Sequence, residues 1–314
     1  MVLMVLMVLM VLMVIFSRDG LSGDGVIDGV IVNVFARCEE ALLQRDPVKK
    51  ANQSIALYRE WLAMSEEACR AAVASAMDDS GVHDEILAME APGRPDQPLL
   101  IDPRDLPRRG LGSLRGRVAL LHSLAHIEFN AINLALDAVY RFRAMPLEYV
   151  GDWLRVASDE GQHFMLLHER LAVLGSHYGA MSAHDGLWDM ARRTAHDVLV
   201  RMALVPRILE ARGLDVAPPM IEKLKQHDDA DSAAILERIY TDEITHVEVG
   251  NRWFRYVCSE RDLDGVTVFR DLLQGPNSAY LRSPFNDVAR LEAGFSVEEL
   301  ELIRQMENEY RKGT

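Results

Sequence analysis

The chain has 314 residues, 49% of them apolar, and a formal net charge of -14. That length suits one large domain or two ordinary ones with a sizeable core. The negative balance excludes a broad DNA-binding footprint, which needs a positive surface. Cys38, Cys69 and Cys258 stand far apart and form no CxxC pair. Buried thiols in a reducing, cytoplasmic compartment are therefore expected, not a disulfide framework.

Met1 to Met13 repeats Met-Val-Leu, and Val14, Ile15 and Phe16 extend the run. It falls short of the ~20 apolar residues of a spanning helix. It also lacks the positive start and small-residue cleavage site of a signal peptide. A non-structural leader is expected, with a membrane-associating tail as the alternative. Residues 1–29 are thus read as apolar leader and Gly/Asp-rich linker. Residues 30–112 are read as N-terminal helices followed by a wrapping segment. Helical spacing runs from Val30 to Leu43 and again from Val48 to Met64. Ser65 to Met89 is weakly helical and has no assigned place. Five prolines between Ala91 and Arg109 predict an extended wrap.

From Ser113 the periodicity predicts four long helices over residues 113–260. Ser113 caps the first, which runs to about Ala144. The second spans Glu148 to Leu174 and stops at Gly175. The third runs from Asp185 to Gly213, and a short helix follows from Pro219 to Gln226. The fourth spans Asp231 to Cys258. Residues 261–314 form a C-terminal extension with two short helical patterns. No strand pattern competes, so the fold is expected to be all-α: an antiparallel four-helix bundle with extra N- and C-terminal helices.

Each long helix places one carboxylate where a core residue belongs: Glu128, Glu160, Glu210 and Glu243. Burying four unpaired carboxylates together is very costly, so something positive must sit among them. Two of them begin the chain's only Glu-x-x-His motifs, Glu160 to His163 and Glu243 to His246. Positions three apart are neighbours on a helix face, so one helix offers two ligands to one ion. Glu128 and Glu160 are 32 residues apart, and Glu210 and Glu243 are 33 apart. The pattern is one plan used twice. Asp159 and Asp242 precede the two motif glutamates. In a two-fold related site each reaches the other copy's histidine, orienting its ring.

The segments His126–Ile132, Ala157–Phe164, Leu204–Asp215 and Asp242–His246 make the chain resemble the ferritin-like di-iron carboxylate superfamily. The likeness is greater to a bacterial ferritin-like family of unassigned role. The resemblance covers about residues 92–258 and implies the bundle and a dinuclear site, but no substrate.

Oxygen and imidazole ligands suit iron, then manganese, with zinc also compatible. Two divalent ions cancel the four carboxylate charges. The expected partners are a small-molecule substrate, dioxygen or peroxide, an electron donor and a second copy in a homodimer. Gly250 is read as room for substrate or as close packing. Arg207 and Arg212 are read as contacts to an anionic substrate or as salt bridges. Pro206 should kink the third helix. His126 is read as a packed histidine, and Tyr240 as an improbable radical site. Three activities remain open: an oxygen-activating hydroxylase or oxidase, an iron-handling ferroxidase or storage protein, and a manganese catalase-like peroxide scavenger. A tRNA-modifying hydroxylase is a minor variant, resting on the basic segment Arg104–Arg117.

Overall fold

Helix is the only regular structure among the described residues of the computed structural model. Those residues are 33–74, 89–107, 110–274, 277 and 280–313. The leader, the Gly20–Gly29 linker, residues 75–88 of the unplaced stretch, and Arg108 and Arg109 lie outside them. Residues 31–314 cluster as one unit.

Helix α1, Val34–Leu43, starts at Asn33, whose side chain accepts from the Phe35 and Ala36 amides. Helix α2, Pro47–Ala63, has Asp46 as its cap and proline in its first turn, where a missing N–H costs nothing. Helix α3, Glu66–Ala74, falls in the stretch that the periodicity left unplaced. The Pro-rich segment is extended apart from a 3-10 turn at Pro103–Asp105. It touches the rest through an isolated bridge between Leu100 and Ala183. The Trp188 indole donates to Glu90 O at 2.8 Å. The buried Lys50 ammonium of α2 donates to Leu42 O, Gly93 O and Asn133 Oδ1, tying the wrap to three helices.

Helix α4, Leu114–Arg141, is capped by Ser113, and α5, Leu147–Val173, follows Pro146. The third expected helix is broken. Helix α6, Gly186–Arg193, ends at Thr194, whose hydroxyl turns back to Met190 O. Asp197 caps a new helix, α7, Val198–Leu204. A π-helical turn, Val205–Glu210, then leads into α8, Ala211–Gln226. Pro206 sits in that turn: the wider helix absorbs the amide that proline lacks. No break occurs at Gly213, and the short helix expected from Pro219 is the continuation of α8. Pro218 cannot bond the Leu214 carbonyl, but Asn286 Nδ2 donates to it at 3.1 Å. Helix α9, Ala230–Glu260, completes the long set. The tail forms three helices where two were expected: α10, Gly265–Leu273; α11, Asp287–Glu292; and α12, Val297–Gly313.

Helix α4 packs on α5 and α8 on α9, while α9 closes against α5 and the π turn. Helix α2 lies along α5, and α1 along α4. This outer layer covers the face that an amphipathic helix would expose. Every residue of α4 from Glu128 to Arg141 is consequently buried. No described helix is long and apolar enough to cross a membrane.

Candidate metal centre

Glu128 comes from α4, Glu160 and His163 from α5, Glu210 from the end of the π turn, and Glu243 and His246 from α9. Glu160 is central. One of its oxygens lies 3.3 Å from His163 Nδ1 and the other 3.0 Å from His246 Nδ1. Glu128 Oε2 is 3.5 Å from His163 Nδ1, and Glu243 Oε1 is 3.8 Å from His246 Nδ1. Glu128, Glu160, His163 and Glu243 each offer a ligand atom within 4.8 Å of the others, so this group is able to hold a metal ion.

The polar atoms here converge without satisfying one another. Glu128 Oε2, Glu160 Oε1, Glu210 Oε2, Glu243 Oε2 and His246 Nδ1 are buried and have no hydrogen-bond partner among the described residues. His246 Nδ1 and Glu160 Oε1 are close but not aligned as donor and acceptor. Leaving such groups unpaired costs roughly 1–3 kcal/mol each, more if charged. Oxygens and imidazole nitrogens aimed at common points fit divalent cations by chemistry as well as by geometry.

The electrostatics agree. Burial, then the neighbouring Glu243 and Glu160, pushes the Glu210 carboxyl up to about 8. Burial and Glu160 raise Glu128 and Glu243. Burial opposes the charge on Glu160 too, but the hydrogen bond from Glu128 and the two histidines hold it well below the usual carboxylate range. Both histidines are raised despite burial, because carboxylates surround them. Binding a metal to carboxyls and imidazoles raised in this way would release protons.

Each histidine is gripped from behind by the other copy. His163 Nε2 lies 3.1 Å from Asp242 Oδ2, and His246 Nε2 lies 3.4 Å from Asp159 Oδ2. Behind Asp242 stands Arg238, with Nε 2.5 Å from the same oxygen. Behind Asp159 stands Arg155, at 3.7 Å. The partial burial of Asp242 raises its carboxyl, but His163 and Arg238 outweigh this and hold it at about 2. Sequence reading missed these arginines, although the signal was there. The repeat is Arg-x3-Asp-Glu-x2-His, from Arg155 to His163 and from Arg238 to His246.

Other candidates separate from the site. A methyl group on Gly250 would overlap the Pro206 ring. That glycine therefore admits the π turn and leaves no room for substrate. Arg207 is buried away from the carboxylates. It stacks on Phe254, Phe269 and Phe295, donates to Asn251 Oδ1 at 2.6 Å and pairs with Glu299. Burial lowers its guanidinium to about 10. It anchors the C-terminal helices. The Nη1 of Arg212 bonds Arg282 O, Pro284 O and Asp215. His126 turns to Tyr178 and to His184 O, at 2.9 and 3.0 Å. The Tyr240 hydroxyl accepts from Asn286. In the basic segment, Arg104 pairs with Asp102 and Arg117 with Asp229, so neither guanidinium stands ready for phosphate.

A cavity of about 240 Å³ reaches the site between α4, α8 and α9. Glu128, Glu210 and Glu243 form its inner end, and Leu124, Ala217 and Leu236 are among its apolar walls.

A Haemophilus influenzae protein described as an uncharacterized protein is 46% identical over 220 residues, covering 68% of this chain and 76% of its own. No solved structure matches. Residues 43–301 match the family described as "Protein of unknown function (DUF455)", and the chain belongs to that family.

Proposed function

We propose that Glu128, Glu160, His163, Glu210, Glu243 and His246 hold two metal ions, iron first and manganese second, in a ferritin-like bundle. In this reading the chain is an oxygen-activating hydroxylase or oxidase. The observation that carries it is the meeting of two features: unpaired buried ligand atoms contributed by two copies of one motif, and an apolar cavity ending on three of the glutamates. Glu160, beside both histidines, would serve both sets of ligands. Glu128 and His163 would complete one set of ligands, and Glu210, Glu243 and His246 the other.

When bound, the metals supply the redox chemistry with dioxygen or peroxide, which carboxylates and imidazoles cannot perform alone. The protein's own contribution is geometric and electrostatic. Asp242 and Asp159 accept the outer N–H of His163 and His246, leaving Nδ1 of each free to ligate. Arg238 keeps Asp242 charged, and Arg155 lies beside Asp159. The apolar walls keep bulk water from the reacting end. A storage shell has no use for an apolar cavity of this kind beside the carboxylates, which favours an enzyme over iron storage. A cage would also elute at many times the monomer mass, whereas the enzyme should run as a monomer or dimer.

The test is metal analysis with absorption spectra of the purified protein, before and after reduction and exposure to oxygen. About two metals per chain and an oxygen-sensitive spectrum are expected. Fewer than one metal per chain, unaffected by Glu160→Ala, would overturn the reading.

A further inference from the structure

The cavity beside the carboxylates has a definite chemistry. Its walls are aliphatic for most of their area, built from Leu120, Leu124, Leu209, Met220 and Leu236 among others. The charged groups reaching it are Arg212 and the three glutamates. The Nη1 of Arg212 is committed to two carbonyls and Asp215. The aliphatic walls offer neither an anion nor a cation a partner on the way in. The Tyr240 hydroxyl accepts from Asn286 Nδ2 and so keeps its own hydrogen to donate.

Size narrows the choice. A dry cavity of ~150 Å³ takes benzene. On that scale, about 240 Å³ holds roughly ten non-hydrogen atoms.

We infer that this cavity binds a neutral, mostly apolar molecule of about ten non-hydrogen atoms, with one hydrogen-bond acceptor for Tyr240 and its far end against Glu128, Glu210 and Glu243. Calling that end the reacting end rests on the dinuclear reading above; the binding itself does not. Neutral bicyclic aromatics and medium-chain alcohols have these properties, whereas carboxylates, phosphates and nucleotides do not.

The test uses the full chain, both metal-free and metal-loaded, with naphthol as probe and naphthoate as its anionic counterpart. Binding is followed by calorimetry and by ligand-observed NMR. Naphthol is expected to bind one per chain, and naphthoate at least tenfold more weakly. Ala217→Trp, which fills the cavity, should weaken naphthol at least tenfold. Ala217→Leu is the smaller intrusion to use if the tryptophan variant does not fold. Tyr240→Phe should weaken naphthol severalfold and leave naphthalene unchanged. Naphthol binding to a chain that takes up no metal would support the cavity assignment while sinking the dinuclear reading. Two metals per chain with no naphthol binding, or with naphthoate bound equally well, would overturn the inference and leave the metal centre standing.

Discussion

The two copies of Arg-x3-Asp-Glu-x2-His carry the same chemistry in different surroundings. In the α5 copy the residue after the glutamate is Gly161, and a methyl group there would sit 2.9 Å from Ala51 O. The missing side chain lets α2 lie against α5. In the α9 copy that position is Ile244, and the glycine comes later, at Gly250, where it admits Pro206. One half of the centre is therefore backed by a regular helix. The other half is set by a π turn and opens on the cavity. The lesson is that the Arg, Asp, Glu and His positions repeat, while the small residues fall wherever a neighbouring helix must come close. The sharper contrast is between histidines. His163 and His246 face carboxylates and are raised. His122 and His126 lie on α4 away from them, and burial lowers each to about 4.

The largest effect should come from the residue the two copies share. Glu160→Ala is expected to take metal content from about two per chain to below one, read by elemental analysis, because both histidines lose their common neighbour. A variant that kept two metals would show the halves to be independent.

The histidine contrast predicts a pH dependence. An unfolded histidine titrates near 6.5, so below that pH the unfolded chain takes up protons that folded His122 and His126 refuse. Stability should fall as pH drops from about 6.5 to about 4, by a few kcal/mol in all. The slope of the urea midpoint against pH in metal-free protein checks this. A His122→Gln, His126→Gln double variant should flatten it, and an unchanged slope would place the acid sensitivity at the metal site instead.

The outer aspartates sharpen the difference between the halves. Asp242→Asn should weaken metal binding roughly 10–100-fold. Asp159→Asn should do less, because its contacts to His246 and Arg155 are longer. Competition with a coloured chelator would rank the two, and the reverse order would contradict the geometry.

The smallest effect is at the glycines. Gly161→Ala should cost about 1–3 kcal/mol as α2 is pushed outward, with metal content unchanged. Gly250→Ala should cost a similar amount but also disturb Glu210 through Pro206, lowering metal affinity. Thermal melts paired with metal analysis separate the two. Equal metal loss in both variants would erase the asymmetry.

That Glu128, Glu160, His163 and Glu243 converge was legible in the sequence, because a carboxylate on an apolar helical face is too costly to be accidental and because the motif recurs. The cross-pairing of Asp159 and Asp242 with the opposite histidines was foreseeable from a two-fold plan, and the arginines behind them from a longer look at the repeat. The broken third helix was not legible. Pro206 acts through Gly250, a partner that only folding supplies, and Pro218 is tolerated because Asn286, far along the chain, reaches the Leu214 carbonyl.

The sequence by itself determined an all-helical chain, the long helices and the residues that converge between them, since periodicity and charge are local properties. Tertiary structure decided the rest: that the C-terminal half of α4 is buried all round, that Arg207 serves the C-terminal helices, that Gly250 holds a proline, and that an apolar cavity is lined by Glu128, Glu210 and Glu243. Those outcomes depend on which helix packs against which, and nothing in a local pattern of residues encodes the shape of the space between two surfaces.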